Sequence, residues 1–159
     1  MDADARRPLA RLIRSSRVAS LGTLRKGAPN VSMVAYLPST DLASFWLRLS
    51  RLAWHTQDLA VDARASLSIC ESDDGRVDPQ TLARVTLRGD AMEVRGDDAA
   101  AQSLRHDWLA RFPASAVTFE LADFCFWRIA PRDARFVAGL GRTYNLSAAE
   151  LARAAQEGE

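Results

Sequence analysis

Apolar residues along this chain recur in two ways, alternating over short stretches as strands do and returning at three-and-four spacing as helices do. Leu9, Leu12 and Ile13 lie on one side of an otherwise charged stretch, which predicts a helix over Asp4–Arg14. Strands are predicted over Val18–Leu24, Asn30–Leu37 and Ser44–Leu49. The first two are joined through Lys26-Gly27-Ala28-Pro29, whose Gly and Pro suit a tight hairpin. Connections this short imply antiparallel pairing. A short helix over Leu52–Val61 places Leu52, His55, Thr56 and Leu59 on one face. A fourth strand follows at Ala65–Glu71, then a polar loop over Ser72–Pro79.

Within Leu82–Arg95, Val85, Leu87, Gly89 and Ala91 occupy one face and Arg84, Thr86, Arg88 and Asp90 the other. Met92 and Val94 then shift the apolar phase by one, and such a slip beside a glycine signals a bulge or barrel corner. The rest reads as a helix over Asp97–Phe112 capped by Asp97 or Asp98, strands at Phe124–Ile129 and Ala134–Ala138 around a Pro131 turn, and a helix at 148–156 capped by Ser147. The pattern predicts an α+β fold, a small antiparallel β-barrel of about six strands with flanking helices. At 159 residues, one domain suffices.

Composition narrows the function classes. A net charge of +1 argues against nucleic acid or an anionic membrane as partner, and no apolar run approaches the length of a membrane span. Of 21 basic residues only Lys26 is a lysine, but the arginines are scattered and balanced by 20 acids. Cys70 and Cys125 are far apart and in no metal-ligand spacing, which predicts a reducing, cytoplasmic setting and no metal site. No Ser/His/Asp order or paired carboxylates point to hydrolysis. The chemistry concentrates at Leu49–Leu59, where Ser50, Arg51, His55 and Thr56 meet at a strand-to-helix joint. Free N–H groups and the positive helix end suit an anion there.

Five segments in register carry a family likeness: Ser50-Arg51-Leu52-Ala53-Trp54-His55-Thr56, Ser66-Leu67, Arg84-Val85-Thr86-Leu87-Arg88-Gly89, Asp123-Phe124 and Gly139-Leu140-Gly141-Arg142. Together they resemble the FMN-binding split-barrel superfamily, and within it the pyridoxamine 5′-phosphate oxidase-like proteins grouped with the haem-utilisation proteins. The resemblance implies an oxidoreductase that binds FMN and acts on a small molecule, built as a homodimer with a flavin in each of two interface clefts. It implies that Ser32, Met33 and Val34 run beside the flavin ring and ribityl chain. Ser50, His55 and Thr56 would hold the phosphate with Arg51 near, and Arg84 would reach in from the partner.

The chain also departs from the pattern. True pyridoxamine 5′-phosphate oxidases have a basic residue at the position of Ser32 and a lysine at that of His55, so two permanent charges are missing. Arg142 alone resembles the substrate-binding end. Asp58 and Ala63 replace an Asn and a Pro at the short helix, where little functional consequence is expected. Two alternatives stay open: a flavin binder without turnover, and a haem-binding protein. For the latter, no histidine follows Ala130, and His106 reads as an ordinary helical histidine.

Overall fold

A computed structural model describes residue 1, residues 3–96 and residues 99–156. The elements run α1 (Ala3–Ser15), β1 (Val18–Arg25), β2 (Ala28–Ala35), β3 (Leu37–Pro38), β4 (Phe45–Ser50), α2 (Trp54–Val61), β5 (Arg64–Cys70), β6 (Arg84–Glu93), α3 (Ala99–Arg111), β7 (Phe124–Val137), β8 (Thr143–Ser147) and α4 (Ala148–Gln156). Single 3-10 segments occupy Pro79–Thr81 and Pro113–Phe119. Asp97 and Asp98, the expected caps of α3, lie outside the described residues. Ser147 does cap α4: its amide and hydroxyl donate to the Glu150 carboxylate, and its Oγ accepts from the Glu150 amide, a reciprocal capping box.

All pairings are antiparallel, in the order β2-β1-β5-β6-β7-β4-β3, with β8 added to β7. The strip curls until β2 touches β4, but the two share no ladder, so the barrel is split there. β7 organises the fold. One edge pairs with β6, while the other holds β4 along Phe124–Ile129 and β8 along Asp133–Val137. The Pro131 region is therefore not a turn between two strands, as its sequence suggested, but the middle of one long strand.

The predicted bulge is present, on the opposite strand from the one expected. Arg88 pairs with Asp133 and Gly89 with Pro131, which leaves Arg132 as the extra residue of β7. β6 keeps its phase throughout, so Met92 stays 61% exposed rather than turning inward. A Cβ on Gly89 would lie 2.1 Å from the carbonyl oxygen of Ala130, so the close approach of β7 explains this glycine.

Alternation along each strand fills the barrel with Leu21, Leu47, Leu67, Ile69, Leu87, Ile129 and Phe136, and α1 and α4 close it with Leu9, Ile13 and Leu151. Each such side chain contributes about 1.5–3 kcal/mol of burial. A second cluster of Leu104, Trp108, Phe112 and Phe126 seats α3 on the outer side of β4 and β7. Consecutive residues of β7 thus serve different cores, Cys125 and Trp127 inside and Phe126 outside. That cluster also reaches Ala35 at the end of β2, whereas the outer residues Val31 and Met33 earlier on β2 are exposed. Among the described residues no helix is long and apolar enough to cross a membrane.

Candidate functional site

The joint after β4 differs from its expected form. α2 begins at Trp54 with Ala53 as an N-cap that makes no side-chain bond, so Leu52 precedes the helix and is exposed. Ser50 does not cap the helix. Its hydroxyl donates to Asp123 Oδ2 at 2.5 Å and accepts from the Leu52 amide, while the Arg51 amide donates to the Asp123 carbonyl, tying this turn to the chain entering β7. The Arg51 guanidinium lies 2.5 Å from Glu93.

Among the described residues, the backbone N–H groups of Trp54 and His55 donate to nothing, as the first turn of a helix leaves them. The buried Thr56 hydroxyl also has no partner. These are donors without a neighbouring free cation. Burial depresses the His55 pKa, opposed by the nearby Asp58 charge, so its imidazole is neutral at pH 7.

Asp58 is the residue that sequence reasoning undervalued. It is 5% exposed and sits on the face of α2 that plugs the end of the barrel. Its Oδ2 accepts from Thr23 Oγ1 at 2.9 Å and Asn30 Nδ2 at 3.1 Å, and its Oδ1 from Arg25 Nη1 at 2.9 Å. Arg25 in turn lies 4.1 Å over the Trp54 ring. An Asn in this place would lose the charge that Arg25 answers.

On β2, Ser32 and Val34 share the inner face, where Val34 is buried in the core, and Met33 stands exposed on the outer face with Val31. Across the ladder, Met33 faces Ser20 and Val31 faces Gly22, and β5 continues this surface with Ser66 and Ser68. The result is an outer surface of small side chains, with Val18, Val31 and Met33 exposed on it.

Farther across the same face, a groove of about 340 Å³ is lined by Arg84, Thr86, Arg135, Gly139, Leu140 and Thr143, among others. It adjoins a second groove of about 640 Å³ that shares Thr86 and Arg135. Arg84 opposes Val137 and Thr86 opposes Arg135, so the two arginines are diagonal neighbours on adjacent strands, with Cα atoms about 7–8 Å apart. Arg84 donates only to the carbonyls of Gln80 and Leu82, and Arg135 to the side-chain oxygen of Asn145. Among the described residues neither faces a carboxylate, whereas Arg88 and Arg132 nearby pair with Asp133 and Asp90. Arg142 is exposed at the rim, with its Nε 3.3 Å from the Tyr144 hydroxyl.

Within one chain Arg84 does not join Ser50, His55 and Thr56. It pairs with Cys70 at the far end of β5, while α2 sits by the opposite end, near Thr23 and Arg25. Arg135 escaped the sequence reading because only the β7–β8 pairing reveals its neutral partner. His106 is exposed on α3, and no group of metal-binding side chains occurs among the described residues.

A family model described as CREG, beta-barrel matches residues 3–152. The chain belongs to the CREG beta-barrel family. The sequence is 37% identical over 119 residues to the chloroplastic heme oxygenase HOZ of Arabidopsis thaliana, covering 75% of this chain and 35% of that protein. The chain thus spans about a third of the plant relative's length. A heme binding protein from Mycobacterium smegmatis superposes with a TM-score of 0.82 at 30% identity, over 96% of this chain and 61% of that one. A protein of the pyridoxinephosphate oxidase family from Clostridium acetobutylicum shares the fold, with a TM-score of 0.72 at 17% identity over 95% and 99% of the chains.

Proposed function

We propose that this chain binds haem on the arginine-lined outer face of its sheet, as a homodimer in which a second copy covers the surface of small side chains beside it. The observation that carries this reading is the pair of guanidiniums, Arg84 and Arg135, held on one groove with no carboxylate among the described residues to neutralise them. Haem presents two propionates on one edge of a planar apolar ring, and two fixed cations on one groove suit the propionates. The haem-named relatives supply the second support. Neither histidine lines the groove, so the fit rests on carboxylate recognition rather than on an iron ligand. Bound there, haem would supply iron redox chemistry; the protein's own part is to hold the carboxylates and shield the ring. The exposed apolar border of Val18, Val31 and Met33 favours self-association. Free Cys70 and Cys125 fit the reducing cytoplasm proposed as its setting.

A second reading, FMN with oxidoreductase activity, is favoured by the unpartnered Thr56 hydroxyl and the free amides of Trp54 and His55. The donors suit a phosphate, but the charges do not: Arg25 answers Asp58, Arg51 answers Glu93, and His55 is neutral. One titration series separates the readings. Ferric haem added to the purified protein is expected to give a shifted Soret band saturating at one per chain, weakened about tenfold or more in the Arg84→Ala, Arg135→Ala double variant. No Soret change, together with stoichiometric quenching of FMN fluorescence, would make this a flavoprotein instead.

A further inference from the structure

We infer that Asn145 is a positioning residue that makes this face selective for tetrapyrroles carrying two free carboxylates, an inference that rests on the haem reading above. The sheet offers an internal comparison. Arg88 and Arg132 project from β6 and β7 and meet the carboxylates of Asp133 and Asp90 at 2.7 and 2.9 Å. Arg135 occupies an equivalent place on β7, but its cross-strand partner is Asn145 of β8, whose side-chain oxygen accepts from Nη1 at 2.9 Å. A neutral amide fixes the guanidinium by the same hydrogen bond an aspartate would make, without cancelling its charge. Arg84 is fixed by the same principle, through backbone carbonyls. Both cations are therefore oriented in advance and still electrostatically available, so a ligand need not displace an internal anion to reach them.

The arrangement also counts charges. Two diagonal guanidiniums on one groove match two carboxylates on one ring edge, and a ligand with one or none leaves a cation unanswered. An aspartate at position 145 would turn Arg135 into another copy of the Arg88–Asp133 pair. Asn145 is exposed on the short strand β8, and the substitution adds no atom, so the fold should tolerate it.

The test compares ferric protoporphyrin IX with its dimethyl ester, by absorbance titration against the wild type, Asn145→Asp and Asn145→Ser, with circular dichroism as a check on folding. The wild type should prefer the free acid by about a hundredfold or more, because the diester gives up both charge-assisted contacts and each is ordinarily worth about tenfold or more. Asn145→Asp should cut that preference by about tenfold or more, down to the share that Arg84 supplies, while Asn145→Ser, which keeps a neutral acceptor, should retain most of it. A merely structural role for Asn145 would change affinity for both ligands alike and leave their ratio untouched. Full discrimination by Asn145→Asp overturns the inference while the haem reading stands, whereas equal binding of acid and ester by the wild type overturns both, because the haem reading itself rests on the carboxylates. Binding of neither porphyrin overturns the haem reading itself.

Discussion

Replacing Asp58 by Asn tests whether one buried carboxylate fastens α2 into the end of the barrel. In the native chain Oδ2 serves two donors, Thr23 and Asn30, and Oδ1 serves the Arg25 guanidinium. The best placement of an asparagine keeps its oxygen toward Thr23 and Asn30, which turns its NH₂ group toward Arg25, donor against donor. One charge-assisted bond is lost, about 1.5–3 kcal/mol, and the opposed donors add to that. Arg25 is only partly buried and can turn to water, which limits the total to about 3 kcal/mol, at the low end for breaking a buried pair. For a chain of this size each kcal/mol moves the melting midpoint by about 2–4 °C, so a fall of about 6–12 °C is expected. Urea unfolding of Asp58→Asn, Arg25→Met and the double variant measures it. The cost of Asp58→Asn should shrink by at least half in the Arg25→Met background. If Asp58→Asn loses less than about 0.5 kcal/mol, or if the two changes simply add, the carboxylate is not the anchor described.

Three further outcomes are open to measurement. Gly89→Ala forces a methyl into the Ala130 carbonyl and should cost about 2 kcal/mol or more by denaturant titration; a neutral result would mean that β6 and β7 separate freely there. His55 is held below its ordinary pKa of 6.5, so the unfolded chain takes up a proton first as the pH falls. Stability should therefore decline from about pH 6.5 downward until the folded-state histidine also titrates, and His55→Gln should flatten that limb of the pH–stability curve. Arg111 donates to the carbonyls of Arg14 and Ser16 where α1 ends. Arg111→Met, which keeps the stem and removes the head, should lower stability by about 1–2 kcal/mol and speed amide exchange in α1; unchanged exchange would remove Arg111 as its cap.

How much was legible depends on whether the deciding neighbour was local. β1, β2 and β5 follow from alternation alone, and the Ser147 capping box from a three-residue spacing. β8 escapes sequence reading although Thr143–Ser147 alternates polar and apolar, because the run is only five residues long and ends in the cap of α4. β7 was divided in two because Pro131 was read as a turn. Proline lacks the N–H that a central strand uses, but a bulge at Pro131 and Arg132 tolerates the loss. At the candidate site, Ser50 reads as an anion-binding group because nothing nearby in sequence announces Asp123, which takes its hydroxyl. Asp58 looked dispensable for the same reason: its three donors come from the β1–β2 hairpin. Arg84 was identifiable, whereas Arg135 gained meaning only from the strand beside it.

The long reach between β4 and β7 has a cost during synthesis. β4 ends at Ser50 and its main partner begins at Phe124, so translation at about 5–20 residues per second leaves it waiting roughly 4–15 s for that partner to emerge. Throughout that interval Phe45, Leu47 and Leu49 form a sticky, half-satisfied ribbon on a nascent polypeptide, with only the two residues of β3 alongside. Yield in a heterologous host should consequently depend on ribosome-associated chaperones and on slower, cooler expression more than on the equilibrium stability of the finished molecule.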